Sequence, residues 1–288
     1  MRLATIVFEG KEQAAVAASG GYVPVAAINR AQGTDWSTDM FALIASGRLD
    51  ELTGWYNGGG NRIAEQLGGV PEADAKAAPL YRHPRKIWGI GMNYAKDPAE
   101  LAAMPEDSEP VGFMKPDTAL IGPGDDIVLP PQSKQVTAEA ELAIVIGKAC
   151  RNVGEDEALG CIAGYAASID VTAADIHAKN QRFLTRAKSF DTFFSFGSEL
   201  LTTDEAGDAS EIRVETWHNG ELSCADTVSN MRYRPAYIVA FHSRVMTLLP
   251  GDVILTGTPG AVVLRDGDTV GCRIGGGLRM LANPAVKG

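Results

Sequence analysis

The segment EAELAIVIG (139–147) places two carboxylates at the start of a continuous apolar run. The run is short, rich in β-branched residues and closed by glycine, which predicts a buried strand. Side chains at positions i and i+2 project from one face of a strand, so Glu139 and Glu141 should lie side by side. Ionised acids beside a core are costly unless compensated, and a hard divalent cation is a natural counter-charge. The spacing is equally compatible with two glutamates on the solvent face of an edge strand.

The composition favours a β-rich fold with a large core. The chain has 288 residues, of which 45% are hydrophobic and 32 are glycine. Its apolar runs are short and β-branched, which is typical of a turn-rich, mixed α+β protein and not of a helical bundle. We expect one large domain with a small appendage.

The appendage is predicted to be an N-terminal α/β domain over residues 1–80, followed by the main domain over 81–288. Its predicted elements are strands at Met1–Phe8 and Gly21–Ile28, a helix around Asp39–Ser46 and a glycine-rich loop at Gly54–Asn61. Proline marks a polar connector at Pro79–Arg85.

Strand-like segments recur from Lys86 onward. They are Ile87–Gly91, Gly112–Met114, Leu142–Ile146, Gly164–Asp170, Ile212–Trp217 and Asp252–Thr256. One helix is predicted at Pro235–Leu248, where Pro235 suits a first turn and an apolar stripe recurs at helical spacing. The stripe consists of Ile238, Phe241, Val245 and Leu248.

Charge and motifs narrow the classes of function. The formal net charge is −10 and no Lys/Arg cluster stands out, so we expect no nucleic-acid partner. No apolar stretch approaches membrane-spanning length and the N-terminus lacks a signal-peptide pattern, which predicts a soluble, cytoplasmic protein. Dinucleotide-binding, Walker, serine-hydrolase and zinc-protease motifs are absent from the sequence.

A third acid and a lysine complete the candidate site. Asp170 follows the apolar stretch Ile162–Ile169 and should emerge at a strand end, and Lys188 lies further along. A set of carboxylates without histidine or thiolate favours magnesium, manganese or calcium over zinc or copper. A 2-oxo acid can chelate such an ion, which would stabilise developing enolate charge. Periodicity alone cannot bring Asp170 and Lys188 to the glutamates.

The stretch from Lys86 to the C-terminus resembles the fumarylacetoacetate hydrolase family. The matching motifs are GMNY (91–94), FMKP (113–116), EAEL (139–142), GY (164–165), DVTA (170–173), KSFDTF (188–193), NGE (219–221) and PGDVILTGTP (250–259). Within that family the chain is similar to 2-hydroxyhepta-2,4-diene-1,7-dioate isomerase and acylpyruvate hydrolase-like members.

The resemblance implies a β-sandwich roll, a homodimer, and a magnesium or manganese ion held by Glu139, Glu141 and Asp170. It also implies that Lys188 faces a small 2-oxo acid substrate. Positions within the matching motifs are expected to bind that substrate: Asn93, Tyr94, Lys115, Asp191, Gly257 and Thr258.

The sequence departs from the family where a histidine and a glutamate usually activate water. The corresponding positions are Asp97 and Glu100, so the glutamate is present and the histidine is missing. Asp97 suits a helix N-cap, with Glu100 completing a capping box. Glu100 remains a candidate base, and His177 is a candidate proton-transfer group.

A second departure concerns anion recognition. The family usually has arginine where this chain has Ala174, and glutamine where it has His177. Arg182 or Arg186 could supply the missing guanidinium.

The expected activity is magnesium-dependent hydrolytic cleavage of a carbon–carbon bond in a 2-oxo or 2,4-dioxo acid, through a metal-bound enolate, during the breakdown of aromatic compounds. The alternatives are an isomerase, hydratase or decarboxylase of a 2-hydroxydienoate, which needs no water-activating histidine, and a family member that binds ligand without turnover.

Overall fold

The chain forms two β-sheets with short helices packed around them. The computed structural model describes residues 1–105 and 107–288. The strands are β1 Arg2–Phe8, β2 Lys11–Ala18, β3 Gly21–Pro24, β4 Val70–Pro71, β5 Ile87–Gly91, β6 Val111–Lys115, β7 Leu120–Ile121, β8 Ile127–Leu129, β9 Val136–Ile146, β10 Ile162–Ala173, β11 Phe194–Phe196, β12 Glu199–Thr202, β13 Arg213–His218, β14 Glu221–Thr227, β15 Val253–Leu255, β16 Ala261–Leu264, β17 Thr269–Ile274 and β18 Leu281–Lys287. The helices are α1 Val25–Gln32, α2 Met40–Ala45, α3 Leu49–Trp55, α4 Asn61–Leu67, α5 Pro98–Ala102, α6 Glu155–Ala158, α7 Ala174–Lys179, α8 Leu184–Lys188, α9 Thr203–Ala206 and α10 Pro235–Val245.

The acidic segment lies at the centre of the larger sheet. The described part of that sheet has thirteen strands, and its main path runs β4-β3-β2-β1-β12-β10-β9-β15-β5-β6. Strand β9 pairs with β10 on one side and with β15 and β16 on the other. The five-stranded sheet runs β14-β13-β17-β18-β8. The predictions of a buried strand and of a mixed, β-rich fold are therefore confirmed.

Strand β9 is buried on both faces. Leu142, Ile144 and Ile146 join one hydrophobic cluster, whereas Ala143 and Val145 join another. The period of two places Glu139 and Glu141 on the face of Ala143 and Val145.

The N-terminal strands extend the same sheet, because β1 pairs with β12. Leu3, Ile28 and Leu43 share a hydrophobic cluster with Val145 and Phe196 of the remaining chain. The division at residue 80 stays a prediction.

Two N-terminal predictions were wrong. The strand at Gly21–Ile28 ends at Pro24, after which Val25 and Ile28 are buried on α1 at helical spacing. The glycine-rich segment Gly54–Asn61 is helical on both sides of a kink at Gly59, whose φ is +112° and which separates α3 from α4. Gly60 serves packing, since a Cβ there would lie 2.4 Å from the Trp55 ring.

The predicted C-terminal ends of one strand and one helix were also wrong. Strand β10 continues past Asp170 to Ala173, because these last residues keep pairing with β9. Helix α10 ends at Val245, which is 63% exposed. Its buried face instead includes Ile238, Val239 and His242, which shifts the stripe around the helix.

Burial of His242 should make stability depend on pH. Its ring packs against Trp88, with centroids 5.4 Å apart, and burial lowers the pKa of His242. The unfolded chain then binds more protons below about pH 6.5, so the free energy of unfolding falls as the pH decreases. We expect urea denaturation at pH 5 and 7 to show a smaller loss in His242→Gln than in the wild type. His83→Gln, at a largely exposed histidine, should keep the wild-type loss; equal losses in both variants would contradict the prediction.

None of the described helices has the length and apolar character needed to cross a membrane.

Candidate active site

Strand register brings the three acids together. Asp170 of β10 is the direct cross-strand partner of Glu139 on β9, and Ser168 is the partner of Glu141. One carboxylate oxygen from each of Glu139, Glu141 and Asp170 lies within 4.8 Å of the others. Glu141 and Asp170 are buried and Glu139 is half-buried. The alternative of a solvent-facing edge strand is therefore excluded.

Two buried lysines surround Asp170. Lys188, at the end of α8, donates to Asp170 Oδ2 and to Thr172 Oγ1 (2.8 Å), and its Nζ lies 3.4 Å from Glu139 Oε2. Lys115 of β6 places its Nζ 2.7 Å from Asp170 Oδ1. It also donates to the carbonyls of Val171 (3.0 Å) and Lys188 (2.6 Å).

Burial and neighbouring charges shift the pKa values of the three acids and two lysines in different directions. Burial raises the pKa of Glu139 and raises that of Glu141 well above its ordinary value. Burial also opposes ionisation of Asp170, but Lys115 and Lys188 outweigh it and hold its pKa low. Burial of Lys188 is outweighed in turn by Asp170 and Glu139, so its pKa is raised. Burial lowers the pKa of Lys115 to about 8, so that group remains charged at neutral pH.

The donor set fits a divalent cation. With all three acids ionised, three carboxylates would face two ammonium groups, so the two lysines would not neutralise the cluster; the raised pKa of Glu141 reflects this missing counter-charge as well as burial. Glu141 accepts a hydrogen bond from the backbone N–H of Gly257, and no lysine or arginine within the described residues forms an ion pair with it. Oxygen ligands of this kind suit magnesium or manganese.

A cavity of about 610 Å³ opens onto the acids. Three sets of residues line it: the three acids with Lys188, a set of apolar residues and a set of polar residues. The apolar group contains Ile90, Met92, Val111, Phe113 and Leu184. The polar group contains Thr137, Thr172, His177, Gln181, Arg182 and Thr258. A volume of this size accommodates a small organic acid.

Comparison with known proteins identifies the family. A model of the fumarylacetoacetate (FAA) hydrolase C-terminal domain matches residues 86–285, which is more than half of the chain. The chain belongs to the fumarylacetoacetate hydrolase family. Members of this family include hydrolases, isomerases and tautomerases.

Relatives with different activities resemble the chain to a similar degree. A mitochondrial oxaloacetate tautomerase of Bos taurus is 35% identical over 221 residues, covering 74% of this chain and 70% of the relative. The structure of 2-hydroxyhepta-2,4-diene-1,7-dioate isomerase from Mycobacterium marinum is 30% identical with a TM-score of 0.73, covering 100% and 98% of the two chains. That of maleylpyruvate hydrolase from Sphingobium sp. SYK-6, in complex with manganese(II) and pyruvate, is 28% identical with a TM-score of 0.79 and full coverage of both.

Several of the predicted site residues line the cavity. They are Lys188, His177, Gly257 and Thr258. Gly257 has φ +94°, and a Cβ there would lie 2.8 Å from that of Asn93, so glycine is required. Its N–H donates to Glu141, so the anion that this backbone approaches is a protein carboxylate.

Asn93 and Tyr94 do not line the cavity. The Asn93 amide is fully buried, donates to the carbonyls of Tyr233 (2.9 Å) and Thr256 (2.7 Å), and accepts from the N–H of Tyr233. It therefore joins two backbone segments instead of contacting substrate. The Tyr94 hydroxyl is buried without a hydrogen-bond partner among the described atoms, and burial raises its pKa.

Lys115 and Asp191 also fall outside the lining. Lys115 directs its ammonium to Asp170 and to two carbonyls, so it positions the acid and Lys188. Asp191 is exposed in a turn beyond Lys188. The substrate contacts expected of both residues stay predictions.

The segment where the family usually carries its water-activating pair is used for helix capping. Asp97 accepts from the N–H of Glu100 (2.8 Å) as the N-cap of α5. Glu100 accepts from the N–H of Lys96 (2.6 Å) and pairs with Arg232, so the expected capping box is shifted by one residue. The Lys96 N–H, and then Arg232, hold the pKa of Glu100 below its ordinary value, which makes it a weaker base.

The two arginines considered as replacements lie in different places. Arg182 lines the cavity together with Ala174, the position where the family usually has arginine. Arg186 is exposed, and its guanidinium lies 5.7 Å from the centre of the Phe183 ring.

Three cavity-lining residues were not predicted from the sequence: Thr137, Thr172 and Phe113. Thr137 and Thr172 are cross-strand partners, each two residues from an acid, so extending the period of two along β9 and β10 would have found them. The Phe113 ring lies under Lys188, 4.4 Å from Nζ to the ring centre. No local pattern signals that contact.

Proposed function

We propose that this protein catalyses a proton shift in a small 2-oxo acid, either keto–enol tautomerisation or isomerisation of a related dienol. The observation that carries the proposal is Lys188 beside three acids in a cavity, while Asp97 caps α5 and Glu100 accepts from the Lys96 N–H. A proton shift needs proton-transfer groups but no activated water. The similarity to an oxaloacetate tautomerase and to a dienoate isomerase supports the same class.

Glu139, Glu141 and Asp170 would hold a magnesium or manganese ion. When bound, the ion would supply Lewis-acid stabilisation of negative charge developing on the substrate. Lys115 keeps Asp170 ionised and in place, because its ammonium lies 2.7 Å from Oδ1.

Lys188 and His177 are proposed to transfer the protons. In ketonisation the substrate hydroxyl loses a proton and the neighbouring carbon gains one, so the reaction consumes no other reactant. The ammonium of Lys188, held by Thr172 and Asp170, would donate to carbon once a cation on the acids offsets the negative charge that raises its pKa. His177 lines the same cavity and accepts the hydroxyl proton.

The assay should follow exchange of the C3 protons of oxaloacetate and of 2-oxobutanoate into deuterium oxide, by NMR, with magnesium or manganese. Exchange above the protein-free rate supports the proposal, since exchange needs enolisation but no cleavage of a carbon–carbon bond. Absence of exchange with every 2-oxo acid and both metals would eliminate the proposal and favour ligand binding without turnover.

Hydrolytic carbon–carbon cleavage is the second candidate, favoured by the full-length similarity to maleylpyruvate hydrolase. Incubation with an acylpyruvate separates the two. Rapid release of pyruvate would establish the hydrolase, whereas enol–keto conversion without release supports the proton shift.

Substitution of Glu100 and His177 tests the assignment of the proton-transfer groups. We expect His177→Gln to lower the exchange rate about 10²-fold or more, as loss of an acid or base does, and Glu100→Gln to lower it less than about tenfold. Both substitutions introduce glutamine and remove one titratable group, so their effects can be compared directly. A larger loss in Glu100→Gln than in His177→Gln would assign proton transfer to Glu100 of α5 instead of His177.

The homodimer and an origin of the substrate in aromatic ring breakdown remain proposals. Light scattering of the purified protein measures the first, and turnover of a 2-hydroxydienoate tests the second.

A further inference from the structure

The cavity is lined by an arginine that forms no ion pair within the described protein. Arg182 lines it beside Gln181, and the backbone N–H of Arg182 donates to Asn180 Oδ1. No carboxylate of residues 1–105 or 107–288 lies within 4.0 Å of its guanidinium nitrogens. The protein is acidic, with a net charge of −10, so this local cation is opposite in sign to the whole chain.

Arg182 lies at the opposite end of a helical segment from Lys188, the residue that contacts the acids. A 3₁₀ turn at Gln181–Phe183 leads directly into α8, at whose end Lys188 contacts the acids. Six residues of helix span roughly 9 Å along the axis. The two residues therefore line one cavity from different positions along the same helical segment.

We infer that Arg182 binds an anionic group at the far end of the substrate, which is therefore a 2-oxo acid with a second carboxylate. This inference rests on the proposed function for the orientation of the substrate. An arginine fork matches a carboxylate in two parallel hydrogen bonds, and the neighbouring Gln181 amide can add a donor. The apolar wall that includes Val111 and Leu184 suits the carbon chain between the two ends.

Arg186 provides a matched control. It follows Arg182 by one helical turn and is likewise exposed, but it stacks on Phe183 and does not line the cavity. Both alanine variants remove a positive charge from the segment. Only Arg182→Ala removes it from a residue that lines the cavity.

Calorimetric binding of 2-oxoglutarate and of 2-oxopentanoate to the manganese-loaded protein tests the inference without requiring turnover. These ligands have equal chain length and differ in the second carboxylate. We expect Arg182→Ala to weaken 2-oxoglutarate binding about 10- to 100-fold, the value of a charged hydrogen-bonded pair, and to change 2-oxopentanoate binding less than about twofold. Arg182→Lys should recover part of the loss, and Arg186→Ala should resemble the wild type.

The outcomes separate the two hypotheses. Equal effects of Arg182→Ala on both ligands, no effect on either, or the same effect from Arg186→Ala would overturn the role of Arg182. If binding discriminates as expected but the wild type exchanges no C3 proton, then Arg182 keeps its role and the proton-shift function is lost. Exchange without any Arg182 preference leaves the proposed function and removes this inference.

Discussion

Replacing Asp170 with asparagine is expected to lower the free energy of unfolding of the metal-free protein by about 3–5 kcal/mol, as measured by urea denaturation. The carboxylate is fully buried and is the shared partner of Lys115 and Lys188. An amide of the same shape leaves both ammonium groups with less compensating charge. Manganese binding should also be lost, because one of three oxygen ligands is replaced.

Two further variants assign the cause of this loss. Asp191→Asn makes the same chemical change at an exposed carboxylate and should alter the free energy of unfolding by less than about 0.5 kcal/mol. Lys115→Met, added to Asp170→Asn, removes one of the buried charges left without its partner and should recover part of the stability. If Asp170→Asn unfolds at the urea concentration of the wild type, the buried charge cluster has been misinterpreted.

The acidic strand could be predicted because its information is local. A period of two and an apolar run fix which residues of β9 share a face, and the structure agrees. The position of Asp170 depends on the register between β9 and β10, which strand periodicity does not specify. The family motifs identified Asp170 and Lys188 as site residues, but strand β10 was predicted to end too early.

Residues that act through tertiary contacts were the least predictable. Lys115 is a motif residue, yet it contacts Asp170 and the backbone instead of the cavity, which follows from the pairing of distant segments. Asn93 is also a motif residue and was for that reason expected to bind substrate, but its side chain donates to the carbonyls of Tyr233 and Thr256. Motif membership indicates that a residue is needed near the site, but only packing distinguishes direct contact from support.

Replacing Lys188 with methionine is expected to lower the rate of C3 exchange by about 10²–10⁴-fold while leaving manganese binding intact. The variant removes the proton donor and keeps an apolar side chain over the Phe113 ring. Asp170 retains Lys115 as its partner, so the acid cluster should persist. Exchange is measured by NMR and manganese binding by calorimetry.

Lys188→Arg separates charge from proton transfer at this position. Arginine keeps the positive charge next to Glu139 and Asp170 but stays protonated even where a bound cation would lower the pKa of lysine, so exchange should remain slow. Lys179→Met removes an exposed lysine from α7 and should exchange at the wild-type rate. Rapid exchange in Lys188→Arg would show that Lys188 acts as a fixed charge. Loss of manganese binding in Lys188→Met would show that it mainly organises the acids.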